Sequence, residues 1–401
     1  MTVEATGTGL KVAHVTTVDS SLWYLLRPQL LGVIADGGEV IGISAPGPHV
    51  GPLEADGVRH MALLSSTRGW DLCADVRSAL ELWRIVRAEH PDVLHTHNPK
   101  PGVYGRIVGR LAGVPVVVNT NHGLWIGNGG RARRAAVLAM EGVAARFSDV
   151  ELIQNPEDLE LLVSRRLTSP RRTRLLGNGV ALDRFRPAAD DDERAASRAL
   201  LGAGPDQIVV GCVGRLVAEK GYLELVAAAE RLDDRYVVVV VGPEDPAKPD
   251  ALTADQQAAG RAAGVRFVGH RDDVDVLYRG MDLFVLASHR EGFPRAAMEA
   301  AASGLATIAT DIRGCRQVVA DGITGLLVPV RDADRLADAI RRLGDDPATR
   351  RAMGAAASTR ARAEFDERRI VGAVLEAYRA RPTRRRWLHP VRSRRRRSGG
   401  G

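Results

Sequence analysis

Residues 281–301 read MDLFVLASHREGFPRAAMEAA: an apolar run, a Gly-Phe-Pro turn and an alanine-rich segment. An apolar run bounded by turn residues suits a strand covered on both faces, and the turn then feeds a helix, the repeating unit of a parallel α/β sheet. Two carboxylates, Glu291 and Glu299, bracket the turn. Pro294 suits the first turn of the helix, so Glu291 falls in the turn and Glu299 about a turn and a half further on. Two acids at different depths suit a ligand gripped at two places, with the amides of Gly292 and Phe293 as donors to hydroxyl or phosphate oxygens. The plainer alternative is a capping Glu291 and an exposed, helix-forming Glu299.

The same unit recurs along the chain. Short β-branched runs begin at Lys11, Glu39, Val58, Asp92, Val114 and Val150, separated by stretches of helical length. The pattern breaks at GNGVALDRFRPAADDDE and restarts with IVVGCVG, RYVVVVVG, VRFVGH, MDLFVLAS, LATIAT and GLLVPV. This predicts two doubly wound domains joined near Arg186, with ligands beyond the carboxyl ends of the strands.

Composition agrees with that architecture. The 401 residues are 45% apolar and 26% charged, enough for two cores. Cys73, Cys212 and Cys315 are odd in number and scattered, which points away from a disulfide framework or a zinc site and toward a reducing cytoplasm. The amino terminus lacks a basic-then-apolar signal, and no run approaches the roughly 18 apolar residues of a membrane span. A protein neither exported nor membrane-spanning is expected. The net charge of +7 belongs to the end of the chain, where ten arginines and no acid follow Tyr378, so the remainder is net acidic.

Beyond the first restarted strand lies GCVGRLVAEKGYLEL. Gly214 permits close backbone approach, while Arg215 and Lys220 flank a loop that enters a helix near Gly221. A lysine at a helix amino terminus opposes the macrodipole unless an anion shares the site, and a diphosphate would be such an anion. Two solvated surface cations are the plainer reading.

GRLVAEKG, EGFPRAAMEA, TDIRGCRQVVADGITGLLVP, GNGVALDRFRP and DVLHTHNPKPGVYGRIVGRLAGVPVVVNTNHGL together resemble the family 4 retaining glycosyltransferases of the GT-B fold, from Lys11 to about Arg381. The likeness is greatest to the branch that assembles capsule, exopolysaccharide or other glycans on undecaprenyl-diphosphate acceptors. It implies an α/β, GT-B protein of two Rossmann-like domains facing across a cleft: 1–185 on the acceptor side, 186–365 binding a nucleotide-sugar, a helix at about 366–381 free to pack back on the first domain, and 382–401 as a disordered basic tail. Carried over by position, the resemblance implies that Arg215 and Lys220, beside Gly214, hold the donor diphosphate, and that Glu299 binds the ribose. Glu291 with Gly292 and Phe293 would grip the transferred sugar, and Gly269, His270 and Arg271 would pass near the base. His122 is the favoured histidine near the reacting centre, with His95 and His97 as competitors, and His97 is also placed on the acceptor side. Where many members carry a glycine-rich loop after the first strand, this chain has TTVDSSLWYLL, which leaves Ser20 and Ser21 as phosphate contacts or as a simple cap.

The implied chemistry is electrostatic, with fixed cations and helix-end amides stabilising a departing nucleoside diphosphate. No metal and no cofactor are expected, and UDP is the default nucleotide. Asp273 and Asp275, the nearest metal-like pair, are read as helix-start acids. The expected partners are the nucleotide-sugar and a glycolipid or polysaccharide acceptor. The tail, with Trp387 and Leu388 among its arginines, suits an anionic membrane surface at roughly 1 kcal/mol per basic residue, or serves only as a solubilising terminus. One tryptophan is too little aromatic surface for a nucleic-acid stacking module, so nucleic acid is disfavoured. The competing readings are a GT-B nucleotide-sugar epimerase or hydrolase, and a non-catalytic membrane or nucleic-acid scaffold acting through the tail.

Overall fold

The computed structural model describes residues 9–69, 71–124, 130–246 and 248–380. The basic tail expected at 382–401 lies outside the described residues. The first sheet contains β1 (Lys11–Val18), β2 (Glu39–Ala45), β3 (Arg59–Ala62), β4 (Val93–His97), β5 (Val116–Asn121), β6 (Val150–Ile153) and β7 (Thr173–Leu175). The second contains β8 (Ile208–Val213), β9 (Tyr236–Val241), β10 (Arg266–Gly269), β11 (Leu283–Leu286), β12 (Ala306–Thr310) and β13 (Gly325–Val328).

Strand orders are β3-β2-β1-β4-β5-β6-β7 and β10-β9-β8-β11-β12-β13, and the paired strands run parallel. Every residue of β4, β5, β6, β9, β11 and β12 is buried. Helices therefore cover both faces, so these strands show no alternation of buried and exposed residues, and the polar side chains they carry, such as His95, His97 and Glu151, are buried with the rest. Each order reverses beside its first strand, between β1 and β4 and between β8 and β11, and a crevice opens at the carboxyl ends there. The chain is thus two doubly wound α/β halves of the GT-B type. The strand β7 was not anticipated from the sequence; its three residues lie among arginines and two of them are exposed.

The helix Glu367–Tyr378 follows the second sheet in the chain but packs on the first, where Ile370, Val374, Ala377 and Tyr378 share a core with Val12, Leu30 and Val118. The two passages between the halves are pinned together: the Val180 amide donates to the Phe365 carbonyl at 2.9 Å, and the Glu367 amide donates to the Val180 carbonyl at 3.2 Å.

The first half buries an arginine completely. Arg106, on the helix Lys100–Ala112, forks to Glu151 on β6 at 2.8 Å and to Glu141 on the helix Arg131–Ala144 at 2.6 Å. Asn119 donates to the second Glu151 oxygen at 2.8 Å. Removing one partner of such a group strands the opposite charges in low dielectric. Arg106→Ala is therefore expected to lose about 3–5 kcal/mol of stability in urea denaturation, and Arg106→Lys, which cannot fork, to restore only part of it.

Candidate active site

The loop after β8 is shaped by packing against β11. Gly221 has φ +73°, and a Cβ there would lie 2.0 Å from the Ala287 carbonyl oxygen. This contact sets Lys220, at the end of the turn Ala218–Lys220, beside the 288–291 loop. Lys220 Nζ meets Glu291 Oε1 at 2.6 Å, and Ser288 Oγ donates to the same oxygen at 2.7 Å. The anion that answers the lysine in this structure is thus Glu291, the first of the two bracketing carboxylates. Arg215 donates to Asp245 at 2.5 Å, and Arg68 of the first half reaches the same carboxylate at 3.3 Å. Burial alone would raise the Asp245 carboxyl, but the two guanidinium groups outweigh it and hold it below its usual range.

The second carboxylate faces elsewhere. Glu299, on the helix Arg295–Ala302, accepts from the Tyr278 hydroxyl at 3.2 Å and lies 3.8 Å from Arg295 Nε. Burial raises its pKa, so Glu299 is a shielded carboxylate rather than the exposed helix former of the plainer reading. Pro294 stands just before the helix in extended backbone.

Gly292 carries the contact between the halves. A Cβ on it would sit 1.9 Å from the His122 carbonyl oxygen and 3.3 Å from the Gly123 Cα, so only glycine allows the 291–293 turn to rest against the loop after β5. First-half asparagines hold the same turn: Asn155 Nδ2 donates to the Gly292 carbonyl at 3.0 Å, and Asn178 Nδ2 to the Phe293 carbonyl at 3.2 Å. Arg313 reinforces the closure through the Asp158 carboxylate and the Leu124 carbonyl.

The remaining candidates have separate surroundings. Gly269 ends β10 with φ +75°; His270 reaches Asp272 at 3.2 Å, and Arg271 forks to Asp273 at 2.7 and 2.6 Å. Asp273 occupies the cap position of the helix Val274–Gly280 without capping it, because Arg271 takes its carboxylate. Asp275 pairs with Arg184 and Arg279. Ser20 and Ser21 lie in the single turn Asp19–Ser21, whose amino end has no side-chain cap. The functional-looking residue there is the buried Asp19, which accepts from the His49 amide at 2.8 Å; its signal was the acid in VDSS.

His122 Nε2 lies 3.0 Å from His97 Nδ1. Burial drives His122 down to about 4 and His14 to about 3, and it also drives His95 and His97 well below the ordinary histidine value. At neutral pH these rings are uncharged, so His122 offers hydrogen bonds rather than an imidazolium and is a weak base. Nitrogens of His14, His95 and His97 lie within 4.8 Å of one another, the one group among the described residues with the donor set for a transition metal. His95 and His97 were read from the sequence as competitors of His122, His97 also on the acceptor side, and His14 was missed because its partners are distant in the chain.

Two expectations follow from this geometry. Gly292→Ala forces its methyl into a carbonyl oxygen, so the halves should separate, read as a larger radius of gyration in small-angle scattering, with turnover reduced by roughly 100-fold. The histidines set an acid limit. His14 has a folded value of about 3 against about 6.5 unfolded, so its stabilising contribution is complete above pH 6.5. That contribution falls by about 1.4 kcal/mol per pH unit as the pH drops below 6.5, because only the unfolded chain takes up the proton. The urea midpoint should fall steadily from pH 6.5 to 4; a flat profile would contradict the assignment.

Residues 13–179 match the family described as "Glycosyl transferase 4-like domain", and residues 193–360 match "Glycosyl transferases group 1". The Escherichia coli UDP-Gal:alpha-D-GlcNAc-diphosphoundecaprenol alpha-1,3-galactosyltransferase is 30% identical over 297 residues, 73% of this chain and 76% of that protein. A D-inositol 3-phosphate glycosyltransferase of Rhodococcus jostii is 31% identical over 346 residues, 82% of this chain and 75% of that protein. Sucrose-phosphate synthase from Thermosynechococcus elongatus superposes with a TM-score of 0.76 at 25% identity, over 92% of this chain and 98% of that one. Anabaena HepE in complex with UDP superposes with a TM-score of 0.76 at 19% identity, over 92% of this chain and 99% of that one, a likeness of fold.

Proposed function

We propose that this chain, which belongs to the family 4 glycosyltransferases of the GT-B fold, moves a sugar from a UDP-linked donor to a lipid-linked acceptor with retention of anomeric configuration. The observation that carries the reading is the contact of the 291–293 turn, with its paired Lys220, against the His122–Gly123 loop. It brings a cation, a carboxylate and a turn rich in backbone donors from one half to a histidine of the other. The Escherichia coli relative, whose name specifies a UDP-sugar and a diphosphoundecaprenol acceptor, supports the choice of substrates.

In this reading the donor diphosphate lies between Lys220 and Arg215, whose present partners, Glu291 and Asp245, must share or yield them. Glu291, released from Lys220, is then free to accept from the hydroxyls of the transferred sugar, while the shielded Glu299 accepts from the ribose. The bond from the anomeric carbon to the phosphate oxygen breaks, and the acceptor hydroxyl attacks from the same face. The leaving phosphate takes the proton of that hydroxyl, and the two cations stabilise the charge left on the diphosphate. Their placement supports a reaction without a divalent ion. The arginine-rich tail would hold the enzyme on the cytoplasmic leaflet where lipid-linked acceptors lie. The product is assigned to cell-envelope glycan.

Label transfer from UDP- and GDP-sugars into a bacterial lipid extract tests this. Wild type should label lipid from a UDP-sugar, and Lys220→Ala and Glu299→Ala should each lower the rate by roughly 100-fold or more while remaining folded. Free labelled sugar as the main product would replace the transferase reading with a hydrolase or epimerase.

A further inference from the structure

Beneath the contact between the halves runs an unbroken chain of hydrogen bonds, buried as far as His97 and partly buried at its His122 end. His14 on β1 is paired in register with His95 on β4, and His97 with Thr120 on β5. Since side chains alternate along a strand, His95 and His97 share one face, the face covered by the helix Glu367–Tyr378. Five links join them: Thr120 Oγ1 to His95 Nε2 at 2.7 Å, His95 Nδ1 to the Tyr378 hydroxyl at 2.7 Å, that hydroxyl to His14 Nε2 at 3.1 Å, His14 Nδ1 to His97 Nε2 at 3.2 Å, and His97 Nδ1 to His122 Nε2 at 3.0 Å.

The connectivity restricts the protons. A neutral imidazole donates through one nitrogen and accepts through the other. Each ring between Thr120 and His122 uses both nitrogens, always entered at Nε2 from the Thr120 side and left at Nδ1. If Thr120 donates, all four histidines carry hydrogen on Nδ1; if His122 donates, all four carry it on Nε2. Mixed tautomers leave at least one donor or lone pair unmatched in a buried interior, which is unfavourable. Gln154, hydrogen-bonded to the His122 ring, closes the chain at the cleft end.

The same geometry argues against a metal at this cluster. The His14 and His97 rings lie 10° from parallel with centroids 5.4 Å apart, nearly as far as a 3.2 Å nitrogen contact allows. Their nitrogens therefore face each other end to end. A shared zinc ion at about 2.0–2.1 Å from each would need lone pairs converging to one side of that line. Nor is the chain a route to solvent, because Thr120 is 0% and Tyr378 3% exposed.

We propose that His95, Tyr378, His14 and His97 are positioning residues that fix the His122 ring in one tautomer and one orientation at the interdomain contact. Tyr378 supplies the link between the His95 and His14 ends of the relay, and it comes from a helix that returns only after the second half is complete. The cleft histidine is consequently set when that helix docks, which couples the folding of the carboxyl-terminal segment to the readiness of the site.

The test is long-range proton–nitrogen NMR of the full chain with nitrogen-15 histidine, together with steady-state kinetics. In wild type, His14, His95, His97 and His122 should show one common tautomer; two tautomers distributed among them would overturn the proposal without any variant. Tyr378→Phe keeps the ring packing but cuts the chain, so the His122 signal should change toward a tautomer mixture. Turnover should then fall by about 10–100-fold with donor KM unchanged. An unchanged His122 signal in a folded Tyr378→Phe variant would overturn the relay, as would stoichiometric zinc in the purified wild type. The kinetic arm rests on the proposed transfer reaction and the tautomer arm does not, so the failure of either idea is distinguishable.

Discussion

Everything distinctive about the site depends on one backbone contact, the absence of a side chain at Gly292 that lets the 291–293 turn touch the His122 carbonyl. Through that contact the carboxyl ends of the two sheets face each other at close range. On one side lie Lys220, Glu291 and Ser288; on the other, the loop after β5 and the histidines behind it. Asparagine side chains from the first half then hold the carbonyls of Gly292 and Phe293, leaving the turn fixed by both halves.

The electrostatics of the cleft follow from this closeness. Its cations are already compensated, Lys220 by Glu291 and Arg215 by Asp245. In the proposed reading, a diphosphate entering there would take these cations from Glu291 and Asp245 rather than meet bare charge. Without that ligand the half-buried charges are paired, which matters because a single unpaired charge in low dielectric is costly. The histidines behind the contact obey the same constraint by staying neutral and bonding to one another.

Twelve runs of apolar or β-branched residues were legible as strands in the sequence, and the structure has a strand at each of them. The exception, β7, is too short and too exposed to carry a hydrophobic pattern. Candidate residues beside strand ends were equally legible, because doubly wound sheets place ligands there. What the sequence hid is pairing at long separation. Glu291 as the partner of Lys220, Glu141 and Glu151 as partners of Arg106, and Tyr378 between His14 and His95 lie from 35 to 364 residues apart, and no local period or motif records such contacts. Ser20 and Ser21 drew attention as hydroxyls at a strand end, whereas the buried group in that turn is Asp19.

The most direct test of the account is a crystal structure of the protein with UDP. The diphosphate should lie within hydrogen-bond distance of Lys220 and Arg215, with Glu291 turned away from Lys220 and the Gly292–His122 contact kept. A nucleotide bound elsewhere, with the Lys220–Glu291 pair intact, would contradict it.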